Sequence, residues 1–304
     1  MKFGKLESLT GVDFHLPPDP PQNAAVLAAL PRLGQPALYV GPTGYNMKEW
    51  VGKWYPTGAK DKDFLRHYGT QFNTIEHNTT HYRIPDAATV TRWREETPAD
   101  FRFCPKIPQT ISHAHDMGLH DGQIPFFAEM IRGLADKMGC CFLQLPPYFS
   151  IRDLPTLQRF LQVFPRDLPL AVEARHESFF QNTPNSEAFF QLLADHGVSS
   201  VITDVAGRRD VCHLRLTNAR VLLRFVGNDL QPTDYTRIAA WAERLAAWFD
   251  GGLQEAYLFT HEPDNILAPE LSAYCAEVFA ARMPGVQLRG PHPVAPPVRQ
   301  GTLF

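Results

Sequence analysis

No apolar run in this 304-residue chain is long enough to cross a bilayer, which excludes a helical membrane protein. The opening residues, MKFGKLESLTGVDF, lack the apolar stretch of a secretory leader, so a cytoplasmic protein is expected. There are five cysteines and none has metal-site spacing. Cys140 and Cys141 sit side by side in an apolar run, as buried reduced thiols do, and a disulfide scaffold is excluded. A net charge of -3 gives no global pull toward nucleic acid or acidic lipid. No cofactor is expected.

What is present is an ordinary globular composition, 44% hydrophobic and 20% charged, which suffices for a large core. Residues 1–36 are rich in proline and read as an arm wrapping the body. Residues 283–304 are a proline-punctuated tail too poor in apolar side chains to pack by itself. Between them, β-rich runs begin at Ala37, Thr74, Phe101, Cys140, Leu170, Ser199, Val221 and Glu255. Helical stripes fill most gaps: Ile124, Phe127, Ile131, Leu134 and Met138; Leu154, Leu157, Leu161 and Phe164; Tyr235, Ile238, Trp241, Leu245 and Trp248. Eight strands alternating with helices predict a closed parallel (β/α)8 TIM barrel over 37–282, with an open doubly wound sheet as the alternative. The stretch 205–220 has no helical stripe, so the sixth crossover is expected to be irregular.

In such a barrel, strand C-terminal ends form the catalytic face. Here the strands stay apolar or small and then turn polar: Glu76 and Asn78, Lys106, Gln144, Glu173 and Arg175, Asp204, Arg224, and His261. A ring of such ends marks a site, because buried charges need partners. His77 has the wrong parity to join Glu76 and is expected to pack toward a helix.

The stretches GPTGYNMKEWVGKWYP (41–56), FNTIEHNTTHYRIP (72–85), TPADFRFCPKIP (97–108), FLQLPP (142–147) and LAVEARHESFF (170–180) resemble the YecE-like proteins, known as domain of unknown function 72, in order and spacing. The resemblance spans roughly residues 37–282. It implies a (β/α)8 barrel and supplies no activity. His77 stands where that family usually has an aliphatic residue, and FTHEPDN (259–265) replaces its usual Phe-Asn-Asn-Asp.

Two readings of the charged ring stand side by side. Glu76, Glu173 and Asp204 can form an acid/base set, with Lys106, Arg175 and Arg224 holding an anion. The same residues can form a structural ion-pair lattice. A metal is disfavoured by the three cations. Tyr45, Asn78, Gln144, Arg208 and His261 are further candidates for ligand contact, Arg208 as a phosphate clamp on the sixth crossover. The expected function is therefore an enzyme, a hydrolase or lyase, acting on a small anionic or phosphorylated substrate such as a nucleic-acid fragment. The alternative is a non-catalytic adaptor. Gln300, Leu303 and Phe304, in the terminal QGTLF, resemble the Gln-x-x-Leu-Phe peptide that docks bacterial proteins on the DNA polymerase sliding clamp.

Overall fold

A computed structural model describes residues 4–31, 34–181, 183–286 and 288–294. It has eight strands: β1 (Ala37–Pro42), β2 (Thr74–His77), β3 (Arg102–Pro105), β4 (Cys141–Gln144), β5 (Leu170–Glu173), β6 (Ser199–Asp204), β7 (Arg220–Val226) and β8 (Glu255–His261). Among the described residues all strand pairings are parallel. They do not make the expected closed eight-stranded barrel. Six strands form a curled sheet in the order β1-β8-β7-β6-β5-β4, and β2 and β3 form a separate pair.

Side chains occupy the places where one of the two missing ladders would run. Between β1 and β2, the Asn73 amide accepts from Val40 N at 2.9 Å and donates to Leu38 O at 3.1 Å. The Tyr68 hydroxyl reaches Thr74 O at 2.8 Å and Pro42 O at 3.1 Å. Backbone groups that would pair across the strands are thereby satisfied by side chains. The strands still approach closely: a Cβ on Gly41 would lie 2.1 Å from Thr74 O, so only glycine fits. Between β3 and β4 there are only isolated bridges, Phe103 to Met138 and Lys106 to Phe142.

The helical stripes fall on helices, except that the first overruns its helix, with Leu134 and Met138 beyond Arg132. Ile124, Phe127 and Ile131 are the buried face of helix Gln123–Arg132. Ile238, Trp241, Leu245 and Trp248 are that of helix Pro232–Gly251. Between β6 and β7 the regular structure is a single 3-10 turn, Arg209–Val211. This stretch leans on the N-terminal arm, where the Asn23 side chain donates to Leu214 O and accepts from Leu216 N. Farther along the arm, Asp19 accepts from both Arg244 and Trp248 Nε1. The described part of the tail is held by polar contacts, Arg289 Nη1 donating to Gly69 O and Phe72 O. Gln300, Leu303 and Phe304 lie outside the described residues.

The concave face of the sheet positions the site. Cys104, Cys140, Phe142, Ala171, Val201, Leu222, Tyr257 and Phe259 form one buried cluster contributed by alternate residues of β3 to β8. Two residues farther along several of these strands, the same parity presents Lys106, Gln144, Glu173, Thr203, Arg224 and His261 above that apolar floor.

Candidate functional site

Arg224 is the centre of the arrangement. From β7 it donates Nε to Glu76 Oε2 at 2.8 Å and Nη2 to Glu76 Oε1 at 2.9 Å. Its Nη1 reaches both Glu173 oxygens at 2.9 Å. Its guanidinium carbon lies 5.7 Å from the Phe142 ring centroid. Glu76 is also met by His261 Nε2 at 3.0 Å and by the Asn78 amide at 2.9 Å. Glu173 accepts from Thr203 Oγ1 at 3.1 Å and from Arg175 at 3.4 Å. Burial alone would raise both acids. Arg224 and His261 outweigh it for Glu76, holding its carboxyl well below the usual range. Arg175 and Arg224 do the same, less strongly, for Glu173.

Beside this lattice lies a cavity of about 590 Å³, whose lining includes Glu76, Asn78, Lys106, Gln144, Arg175, Arg224 and His261. Seven of the residues singled out in the sequence therefore share one wall system, and Glu173 stands directly behind it. Lys106 donates to Gln144 Oε1 at 3.0 Å, and its ammonium is 5.8 Å from the Phe142 ring centroid. Among the described residues no carboxylate lies within 4 Å of it. Burial, then the Arg224 charge, push Lys106 down to about 8.

Three expected members are elsewhere. Asp204 faces the opposite side of β6, where Arg209, Arg237 Nη1 (3.1 Å) and Trp241 Nε1 (2.8 Å) surround its carboxylate. Val201 and Ile202 are both buried, so β6 is apolar on both faces and its sequence gives no parity signal; Thr203 is the inward residue. Arg208 forks onto Asp210, at 2.8 and 2.6 Å, and does not line the cavity. Tyr45 packs against Tyr68 and His77, with ring centroids 6.4 and 6.1 Å away.

Three other residues enter the site. Glu262, just past β8, lines the cavity and accepts from Asp229 N at 2.9 Å, while its Oε1 has no hydrogen-bond partner among the described residues. Burial and then the Asp234 charge push it up to about 8. His81 is buried, with Nδ1 3.0 Å from Ile107 O. Tyr82, 73% exposed, offers a ring on the rim. In the sequence Glu262 belongs to the polar end of strand eight, but it follows the strand in an irregular FTHEPDN turn where parity assigns it no role. His77 packs as its parity predicts, 4.2 Å from the Trp93 ring centroid in helix Ala87–Glu96.

The family model described as "Protein of unknown function DUF72" matches residues 39–297. The chain belongs to the DUF72 family. The UPF0759 protein YecE of Escherichia coli strain K12 is 33% identical over 285 residues, covering 88% of this chain and all of that protein. The UPF0759 protein YunF of Bacillus subtilis strain 168 is 26% identical over 209 residues, covering 64% of this chain and 71% of that protein. A crystal structure of a DUF72 family protein from Enterococcus faecalis V583 superposes with a TM-score of 0.64 at 20% identity, covering 80% of this chain and 98% of that one. At that identity the DUF72 likeness speaks for the fold alone. The family carries no established activity. No helix among the described residues is long and apolar enough to cross a membrane.

Proposed function

We propose that the cavity binds a small anionic, preferably phosphorylated, molecule and performs proton-transfer chemistry on it. The observation that carries this reading is the position of Lys106 on the cavity wall with Gln144, a neutral amide, as its one described hydrogen-bond partner. Among the described residues, two carboxylates, Glu76 and Glu173, stand against three cations, Arg224, Arg175 and Lys106, while Glu262, pushed up to about 8, keeps its proton near neutral pH, so this group carries one positive charge in excess. A buried excess charge favours a counter-ion. Asp264 also lines the cavity but is exposed on the rim, where solvent screens it. The volume suits a small molecule, and Tyr82 adds a stacking face for a ring.

The acid/base roles move away from the carboxylates first singled out. Carboxylates held low by cations are weak bases, so Glu76 and Glu173 serve as the frame. Lys106 and Glu262, both brought to about 8, are better matched to exchanging protons near neutral pH. An enzyme of the hydrolase or lyase kind fits this arrangement better than an adaptor. The adaptor reading has only the terminal Gln300, Leu303 and Phe304 behind it.

Calorimetric titration of the full chain with inorganic phosphate, sulfate and a neutral sugar tests the binding claim. Phosphate should bind, the sugar should not, and Lys106→Met should weaken phosphate at least about tenfold, the loss of one charge-assisted contact. Equal phosphate affinity in the variant would remove Lys106 from the site.

A further inference from the structure

We propose that Lys106 is a nucleophile that condenses with the carbonyl group of a small aldehyde or ketone carrying a phosphate or carboxylate. This rests on the reading of the cavity as an anion site and names the substrate class and the covalent step.

The two buried lysines of the described chain differ in a way that points to Lys106. Lys137 sits with Nζ on the backbone carbonyls of Arg94 and Thr97, which favour the ammonium form and leave it a structural anchor. Lys106 instead lines a cavity, above an aromatic ring, with one described contact to a neutral amide. The nearby carboxylates that would favour its ammonium are turned onto Arg224, and Arg175 adds a further cation on the same wall. Burial and the Arg224 and Arg175 charges work against the ammonium and outweigh the Phe142 ring face and the Gln144 oxygen, which favour it, and the free amine is the nucleophile. Arg175 is placed to carry the anionic group of the same molecule.

The step balances without an oxidant or reductant. The Nζ lone pair attacks the carbonyl carbon, a C–N bond forms, and the C–O π pair passes to oxygen. That oxygen takes one hydrogen from Nζ, giving a carbinolamine. The C–O bond then breaks as the oxygen takes one proton from solvent and leaves as water. Nζ keeps its remaining hydrogen in the iminium, which withdraws electrons from the adjacent carbon and eases loss of a proton or scission of a bond there.

The test uses the full chain with pyridoxal 5′-phosphate as a phosphorylated aldehyde and pyridoxal as its unphosphorylated control. Sodium borohydride traps any iminium, and peptide mass spectrometry locates it. The expected result is a single dominant adduct at Lys106, at least about tenfold faster with the phosphorylated aldehyde and slowed by inorganic phosphate. Lys106→Arg should abolish that adduct yet keep phosphate protection against thermal unfolding. Adducts spread over surface lysines with Lys106 unmodified would overturn the nucleophile; if phosphate still protects the fold, the anion site stands without it. Lys106 labelled equally fast by both aldehydes and unshielded by phosphate would keep the nucleophile and overturn the anion site.

Discussion

Arg224 meets Glu76 as a two-pronged fork, Nε to Oε2 at 2.8 Å and Nη2 to Oε1 at 2.9 Å, with both side chains buried. Its remaining nitrogen serves Glu173, so one guanidinium joins carboxylates of β2 and β5. Because β2 lies outside the six-stranded sheet, this contact also ties the separate pair to the main sheet. Arg224→Met should therefore cost about 3–5 kcal/mol, the usual penalty for stranding a buried charge. Lys106→Met strands no carboxylate and should change stability by no more than about 1 kcal/mol. Denaturant unfolding of the two variants measures both. Equal losses would mean that Lys106 belongs to the structural lattice.

His77 predicts an acid weakness that can be engineered away. Both ring nitrogens are buried without partners among the described residues, and burial pushes the ring down to about 3 from 6.5. Between those values the unfolded chain binds a proton that the folded chain refuses. Stability is therefore lost as pH falls from about 6.5 toward 3, by up to roughly 5 kcal/mol. The frame carboxylates act in a different window: Glu76 and Glu173 are held low, so their contribution is present above about 4.5 and disappears as pH drops through their folded values. His77→Leu should raise stability at pH 7 by about 1–2 kcal/mol, by removing unsatisfied polar atoms, and flatten the curve between pH 6.5 and 4.5. A variant with unchanged acid sensitivity would show that water or a partner reaches the ring.

Asp204 should behave as a structural residue. Asp204→Asn weakens the hold on Arg237 and Arg209 behind the sheet and should cost about 2–4 kcal/mol, while phosphate affinity of the folded protein stays within about twofold. Loss of phosphate binding with stability intact would return Asp204 to the site.

Glu262 predicts the opposite pH trend. Its folded value, about 8, lies above the ordinary 4.5. From about pH 4.5 to 8 the folded chain keeps a proton that the unfolded chain releases, so this group makes stability fall as pH rises. Glu262→Gln imitates the protonated acid and should stabilise the protein more at pH 8 than at pH 5. Thermal melts at the two pH values decide; an equal effect at both would mean that Glu262 is ionised throughout.

The positions of the strands and of half of the cavity residues were legible because period-two alternation and polar strand ends are local signals. The open ladders were not. The one between β1 and β2 depends on Asn73 and Tyr68 placing side-chain groups between strands, and an Asn before a strand or a Tyr in a helix has many other uses. The facing of Asp204 was hidden by a strand apolar on both sides. The perturbation of Lys106 needed three dimensions, since its causes are burial and the nearby Arg224 charge.

The most direct test is a crystal soaked in tungstate, a phosphate-like anion located by its anomalous scattering. The prediction is a principal peak inside the cavity, within hydrogen-bond reach of Lys106 Nζ and the Arg175 guanidinium, that disappears in Lys106→Met. Tungstate found only at surface arginines, with the cavity empty, would contradict the anion site.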